Sequence, residues 1–393
     1  MKTLKNIVAV ASIFLFIFVI IEQPRSVTKN DALIHCEVTN IMMFNNLNPY
    51  LEENINKVVP ENFIVSSNKI GTNYLPLVIK SFQIFCHPYL DWIENYKYFL
   101  SCIPLFLLFF WNKKSTPANF VILLTGFNGF YQALRSGNIS IVSQLLLILF
   151  FISIFHKYYK VASVLFAMLI YIKLTLLPML LLLVFGLKNK KIKEFVINSS
   201  LIFFAMISIT YFLEKELLNT WIQYFNIFSN PDNINSFSVL DDIFGNYYDT
   251  PSVPNLLHYL FELNVLIFII IFSLLIVFIF STLNDFLKCT LNVEQIITNS
   301  FLVYLILNPY FRTYHLIEIA IFLCFYFYKQ AHNEFILIFL VSIIPQLTLL
   351  GFIKFNNVIF DEIFISLYGP LVLLIIAINY YLRNKRIKRR HVF

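Results

Sequence analysis

The sequence predicts an all-α protein, a polytopic bundle of transmembrane helices that forms a single domain over residues 1–393. Apolar residues make up 59% of the 393 positions and charged residues only 13%, a balance that a water-soluble domain cannot bury in one core. Apolar runs recur along the whole chain, and a helix needs about 20 apolar residues to cross a bilayer. This recurrence predicts about 12 membrane segments and no separate soluble domain.

The first apolar run follows Lys2 and Lys5, as it does in a signal peptide. No small-residue cleavage site follows, because the chain continues as Glu22-Gln23-Pro24-Arg25, and we therefore expect a retained anchor. The runs predicted to be single segments are 6–22, 96–111, 118–134, 139–156, 195–213, 259–283, 295–309, 314–328, 334–353 and 362–382.

The stretch 161–187 needs a different interpretation, because it is too long for one untilted crossing and too short for two full ones. Lys157 and Lys160 precede it, and Lys188 with three further lysines follows it, so both of its ends are predicted on the same side. We expect two short helices that turn at Lys173-Leu174-Thr175. The apex of such a hairpin must be buried in protein or line a wet cavity.

The basic residues predict the orientation of the bundle. Most of the 29 Lys and Arg residues, but few of the 22 acids, fall in the short loops and tails that alternation places on one side. The positive-inside rule therefore makes both termini cytoplasmic, including the basic tail 383–393. Two longer stretches, 23–95 and 214–258, are then predicted to be extracytoplasmic loops with small helices of their own.

The first outer stretch contains an interfacial helix and two cysteines. Tyr74-Leu75-Pro76-Leu77 opens an amphipathic run to Pro88 that is predicted to lie along the outer interface. Cys36 and Cys86 fall in the same stretch. They can form a disulfide or remain two thiols, and the sequence leaves both open.

Several functional classes are excluded. The net charge of +7 does not indicate nucleic-acid binding, because the basic residues lie beside apolar runs and not along one face. Five scattered cysteines, without a CxxC pair or a Cys/His cluster, predict neither a metal site nor a cofactor. The sequence has no Gly-rich phosphate loop, HExxH helix or GxSxG elbow, so nucleotide hydrolysis, zinc proteolysis and serine hydrolysis are not supported.

Cationic side chains are predicted at the outer half of the membrane segments: Arg135, Lys173, Arg312 and His315. A phosphate would be their natural counter-ion. For Arg135 and Arg312 the alternative is snorkelling to the lipid headgroups. A functional role is favoured for Lys173, which sits at the hairpin apex with no acid beside it in the sequence.

Two carboxylates have competing interpretations. Asp31 follows the first helix closely enough to stay at the membrane face, where it could activate a hydroxyl; the alternatives are a solvated loop acid or a helix N-cap. Glu318 lies one turn after His315 and could fix that imidazole. Its alternative is an ion pair with Arg312 or Lys173.

The order of these motifs resembles glycosyltransferase family 87, the polyprenol-phosphate-mannose-dependent mannosyltransferase-like group of the GT-C superfamily. The residues that carry the resemblance are Asp31, Asn48-Pro49-Tyr50, Tyr74-Leu75-Pro76-Leu77, Ser136-Gly137-Asn138, Ile172-Lys173-Leu174, Asn308-Pro309 and His315. The resemblance implies a bundle of GT-C type in the plasma (inner) membrane. It also implies transfer of a hexose, mannose by family default, from a polyprenyl-phosphate donor to a lipid or glycan acceptor on the extracytoplasmic face.

The resemblance also implies roles for individual residues. Asp31 would be the general base that deprotonates the acceptor hydroxyl, with inversion at the anomeric carbon. Binding of the donor phosphate would fall to Arg135, Lys173, Arg312 and His315. Further substrate contacts would fall to Tyr50, Tyr74 and Asn138.

Three other functions remain open. A transporter or flippase of lipid-linked sugars would also place charges at membrane depth, but it should show pseudo-symmetric halves. A polysaccharide polymerase or ligase shares the lipid-linked substrate, but it would use a late outer loop rich in Arg and His, whereas 214–258 has no Arg and only His258. A membrane scaffold predicts that replacement of Asp31 changes nothing.

Overall fold

A computed structural model describes part of the chain, and all structural statements below concern that part. The described residues are 36, 39, 47–48, 50, 54, 74–86, 103, 133, 140–229, 253–288, 291–308, 316–326 and 369–378. The predicted segments 6–22 and 334–353 lie outside them, as do 96–111 and 118–134 apart from single residues.

Within the described residues every regular element is a helix. The helices are α1 Pro76–Cys86, α2 Ser140–Phe155, α3 Tyr159–Ile172, a 3-10 helix Leu174–Leu176, α4 Leu177–Val184, α5 Lys190–Leu213, α6 Lys215–Ser229, α7 Val253–Leu263, α8 Val265–Leu287, α9 Val293–Leu307, α10 Leu316–Tyr326 and α11 Gly369–Ile378. The all-helical prediction is confirmed for this part of the chain.

Asparagine caps set several helix starts that hydropathy alone misplaces. α5 begins at Lys190 and not near residue 195, because the Asn189 side chain accepts a hydrogen bond from the Lys191 backbone N–H at 3.1 Å. The predicted run 259–283 belongs to two helices, α7 and α8. Asn264 separates them, since its side chain accepts from the backbone N–H groups that open α8.

The predicted hairpin is present. Tyr159 at the start of α3 lies beneath Lys191, whose Nζ is 5.6 Å from the tyrosine ring centroid. After α4, a Cβ on Gly186 would lie only 3.2 Å from Ile296 in the first turn of α9. The turn between α3 and α4 lies at the other end of α9, where the Thr175 and Tyr304 hydroxyl oxygens are 3.4 Å apart. The stretch 161–187 therefore leaves and returns to the same end of the bundle.

The bundle thus has two distinct ends. The basic end is defined by the lysines that flank the hairpin: Lys157, Lys160, Lys188, Lys190, Lys191 and Lys193. The apex end is defined by two pairs: Lys173 with Glu318, which form an ion pair, and Thr175 with Tyr304, whose hydroxyl oxygens are 3.4 Å apart. The core between the ends is aromatic, with Phe151 of α2 stacked on Phe325 of α10 at 5.0 Å and packed edge-on against Phe301 of α9 at 5.2 Å.

Two described helices, α5 and α8, are long and apolar enough to cross a membrane by length and composition. Most of their apolar surface is exposed: Phe280 of α8 is 69% exposed and Leu201 of α5 is 64% exposed. Exposed apolar faces of this extent are typical of lipid contact and are rare on water-soluble proteins. The surface of these helices therefore indicates a membrane protein.

Candidate active site

An ion pair occupies the apex end. The Lys173 Nζ lies 2.5 Å from the Glu318 Oε1, although the two residues are 145 positions apart in the chain. Lys173 closes α3 as its C-cap, and Glu318 lies in the first turn of α10. The partner of Lys173 is therefore an acid distant in sequence, as the ion-pair interpretation of Glu318 predicts. Removal of one member of a buried pair commonly costs about 3–5 kcal/mol, because the other charge is left uncompensated.

Hydroxyl and amide groups extend this polar site along α9. The Thr175 and Tyr304 hydroxyl oxygens are 3.4 Å apart, and the Asn308 Nδ2 donates to the Tyr304 Oη at 3.1 Å. Tyr304 is almost completely buried, so its hydroxyl depends on these partners. Together they connect the turn of the hairpin to the C-terminal end of α9.

Tyr50 of the first outer stretch docks beside the same end. Its ring packs against Ile79 of α1, with Leu217 and Trp221 of α6 nearby, and its Oη donates to the Tyr74 carbonyl at 2.9 Å. Burial raises the pKa of the Tyr50 hydroxyl well above its usual range, and the neighbouring Tyr171 and Glu214 raise it further. Tyr50 is therefore a neutral hydrogen-bond donor within reach of the last turn of α3.

Two polar contacts join the first outer stretch to α6. The Asn48 Nδ2 donates to the Thr220 Oγ1 at 3.1 Å, and Lys80 of α1 forms an ion pair with Glu214, which directly precedes α6. The stretches predicted to be extracytoplasmic, 23–95 and 214–258, thus contact each other. Tyr171, two positions before Lys173, is hydrogen-bonded to Thr210 near the end of α5. This contact places the joined stretches next to the hairpin turn.

A disulfide joins Cys36 to Cys86, the last residue of α1. It resolves the choice that the sequence leaves open between a disulfide and two thiols. The bond attaches Cys36, which precedes Tyr50 in the chain, to the last residue of α1. Tyr50 itself is hydrogen-bonded to Tyr74, just before the first residue of α1. This part of the first outer stretch is therefore attached at both ends of α1. Removal of such a cross-link restores loop entropy to the unfolded chain.

Three of the predicted site residues are described, and all three lie at the apex end: Lys173, Tyr50 and Tyr74. Asp31, Arg135, Asn138, Arg312 and His315 lie outside the described residues, and their roles stay predictions. Sequence reasoning did not select Thr175, Tyr171 or Tyr304. A hydroxyl in the apolar C-terminal half of α9 is the signal that could have found Tyr304, because such a group needs a partner inside the bundle.

Comparison with known proteins gives one match. The model of glycosyltransferase family 87 matches residues 99–294, about half of the chain. The matched region includes Arg135, Asn138 and Lys173 but not Asp31 or Glu318. No curated protein and no solved structure matches the chain.

Proposed function

Since its residues 99–294 place the chain in glycosyltransferase family 87, we propose that it transfers a hexose, mannose by family default, from a polyprenyl-phosphate donor to a lipid or glycan acceptor. Membership of the family makes the protein a transferase that acts on a sugar donor and an acceptor. The carrier, the sugar, the side of the membrane and the residue roles are the proposal. It is supported chiefly by Lys173, a cation held at the turn of a hairpin inside the bundle.

The location of Lys173 suits an anionic lipid headgroup. A charge at membrane depth is costly, and such charges commonly mark substrate paths. Lys173 is 13% exposed while its partner Glu318 is 4% exposed, so the lysine side chain is the more exposed member of the pair. Phosphate is a common ligand of a lysine in this setting.

The sidedness of the bundle supports an extracytoplasmic reaction. The lysines of the basic end match the cytoplasmic loops that the positive-inside rule expects. The Cys36–Cys86 disulfide lies on the side of the apex end, because Cys86 is the last residue of α1 and α1 packs there against α6. Disulfides persist in oxidising compartments, which lie outside the cytosol.

The proposed reaction uses residues in separate roles. The Asp31 carboxylate takes the proton of the acceptor hydroxyl as the new bond to the anomeric carbon forms, with inversion. The departing carrier phosphate is stabilised by cations that include Lys173 and are completed by Arg135, Arg312 and His315. Tyr50 and Tyr74, joined by their hydrogen bond, shape the side of the site formed by the first outer stretch, and Asn138 adds a polar contact.

The proposal is tested with the purified protein and a panel of radiolabelled polyprenyl-phosphate sugars. We expect the wild type to transfer label to a lipid or glycan acceptor and Asp31→Asn to lose at least about a hundredfold in rate, because the base is removed. Asp91→Asn, a second carboxylate of the same stretch, is the matched control and should retain the rate. Wild-type transfer with an unimpaired Asp31→Asn variant would refute the role of Asp31. Silence of the wild type with every donor would favour the transporter or the membrane scaffold.

A further inference from the structure

Positive charge accumulates at the basic end of the bundle, where all six lysine side chains are exposed. The two turns that carry these lysines, 156–160 and 186–194, contain one acid, Glu194. Glu294 at the start of α9 adds a second acid near Tyr159. Within the part of the chain that the structure describes, none of the six lysines forms an ion pair. The basic end therefore keeps a surplus of positive charge on its surface.

The start of α5 is electrostatically unfavourable. Three lysines fall in its first turn, 190–193, a fourth directly precedes the Asn189 cap, and the turn contains no acid. The amino end of a helix carries a partial positive charge, which repels these cations, and lysines three positions apart also repel each other. The first turns of α6, α9 and α10 each contain a glutamate instead. An anion held at the start of α5 would offset the repulsion.

A second lysine at this end occupies a strained position. Lys157 has a φ of 63°, a conformation that favours glycine. Its turn lies close to the start of α5, because the Lys191 Nζ is 5.6 Å from the centroid of the Tyr159 ring. The positive-inside rule requires lysines on one side of the membrane, but it does not require them at strained positions. Two separate departures from local preference thus place positive charge at one location.

One face of α5 continues from these lysines as an exposed apolar surface. Its exposed residues follow one another at spacings of three or four: Lys190, Lys193, Ile197, Leu201 and Phe204. From Lys193 to Phe204 the helix rises about 16 Å, which is about half of the roughly 30 Å hydrocarbon layer of a bilayer. This face therefore offers cations at the membrane surface and apolar side chains to the depth of one leaflet.

We propose that the basic end is a binding site for an anionic phospholipid of the adjacent leaflet. The headgroup phosphate lies at Lys190 and Lys193, and an acyl chain follows the exposed face of α5. Clusters of at least four basic residues at the end of a membrane helix are typical of sites for anionic headgroups. A free phosphate would gain the same charge contacts but none along Ile197 and Leu201, which favours a lipid as the occupant. The inference does not depend on the transfer reaction.

The first test measures lipid binding to the purified full-length protein. Native mass spectrometry from a neutral detergent gives the dissociation constants of phosphatidylglycerol and phosphatidylcholine with identical acyl chains. We expect phosphatidylglycerol to bind at least about fivefold more tightly, because it alone carries a net negative charge. An excess of glycerol phosphate, which has the headgroup without the chains, should not displace it. Equal dissociation constants, or displacement by glycerol phosphate, overturns the proposal.

The second test compares two variants that lose the same charge. Lys190→Gln/Lys193→Gln should weaken binding of phosphatidylglycerol at least about tenfold and leave that of phosphatidylcholine unchanged. The control is Lys215→Gln/Lys288→Gln, at exposed lysines beside α6 and α8, and it should weaken binding less than about twofold. Equal effects of the two variants would show a response to net charge and not to a site. That result overturns the proposal, as does unchanged binding by Lys190→Gln/Lys193→Gln.

Thermal unfolding in detergent separates lipid binding from a structural role of the lysines. Without phosphatidylglycerol, Lys190→Gln/Lys193→Gln should have at least the Tm of the wild type, because repulsion at the start of α5 is relieved. With saturating phosphatidylglycerol the wild type should have the higher Tm, since a ligand of the folded protein stabilises it. A lower Tm of the variant under both conditions indicates a structural role and overturns the proposal. A wild-type Tm that does not respond to phosphatidylglycerol overturns it as well.

Discussion

At the scale of single residues, Tyr50 shows how a polar group is accommodated between two outer stretches and the bundle. Its ring is 4% exposed and its hydroxyl donates to the Tyr74 carbonyl. Burial raises the pKa of the hydroxyl, so it keeps its proton, and with it the hydrogen bond, throughout the neutral range. The bond fixes the chain at Tyr74, which directly precedes α1.

Tyr50→Phe tests how much this hydrogen bond contributes to the stability of the protein. The variant keeps the ring in place but leaves the Tyr74 carbonyl without the phenolic donor, so we expect the free energy of unfolding to fall by about 1 kcal/mol. Thermal denaturation in detergent measures the loss. Tyr158→Phe, at a side chain that is 64% exposed, serves as control and should change nothing. Equal stability of Tyr50→Phe and the wild type would show that water replaces the hydroxyl.

Sequence reasoning reached some of these residues and not others. Lys173 could be selected because a charge inside an apolar stretch is visible in the sequence. From the sequence, Glu318 could be offered only as one possible ion-pair partner of Lys173. The two residues lie 145 positions apart, and no periodicity relates residues of different helices. The same limit hides the contact of Tyr171 with Thr210, which depends on how α3 packs against α5.

At the scale of elements, the turn between α2 and α3 is strained at one residue. Lys157 has a φ of 63°, in the left-handed region that costs a residue with a Cβ roughly 1–2 kcal/mol. The turn must reverse the chain within three residues, His156 to Tyr158, before α3 begins. Lys157 also adds a positive charge to the basic end, and this charge is a reason for a lysine at a position that the backbone alone would favour as glycine.

Lys157→Gly should be at least as stable as the wild type, because glycine adopts this conformation without the Cβ penalty. Lys157→Val should lose about 1 kcal/mol or more, since a β-branched residue fits the left-handed region poorly. The comparison position is Lys160, which is inside α3: there Lys160→Gly should be less stable than the wild type, by roughly 0.5–1 kcal/mol. Chemical denaturation of the three variants and the wild type gives the order. Similar effects at both positions would contradict the strain at Lys157.

Elements were predictable where charge and hydropathy agree. The hairpin follows from lysines on both sides of an apolar stretch of intermediate length, and the break at Lys173 confirms it. The division between α7 and α8 was missed, because the apolar character continues across it and only the cap made by Asn264 marks it. Caps depend on one side chain each, and hydropathy averages over many.

At the scale of the whole molecule, the two ends differ in chemistry. The basic end collects lysines with few partners in the core, whereas the apex end collects hydrogen bonds, ion pairs and the disulfide. Short basic loops are a sign of the cytoplasmic side. The family model matches helices that reach both ends of the bundle. The chemical difference between the two ends is therefore a property of the whole bundle and not of one loop.

Cysteine labelling tests the orientation. In a variant whose cysteines outside the disulfide are replaced by alanine, Lys215→Cys at the start of α6 should react with a membrane-impermeant maleimide on intact cells. Lys188→Cys at the basic end should react only after permeabilisation, because the membrane separates it from the reagent. The replaced native cysteines are Cys102, Cys289 and Cys324. Reaction of Lys188→Cys alone on intact cells would reverse the orientation.

The shortness of α3 affects how a lipid could reach Lys173. Its 14 residues rise about 21 Å, whereas the hydrocarbon layer of a bilayer is about 30 Å thick. A hairpin that starts at one face therefore ends several ångströms short of the other, and its lysine lies below the outer edge of the hydrocarbon layer. A headgroup would have to sink below its normal plane to touch it, so thinner bilayers should favour the encounter and thicker ones should hinder it.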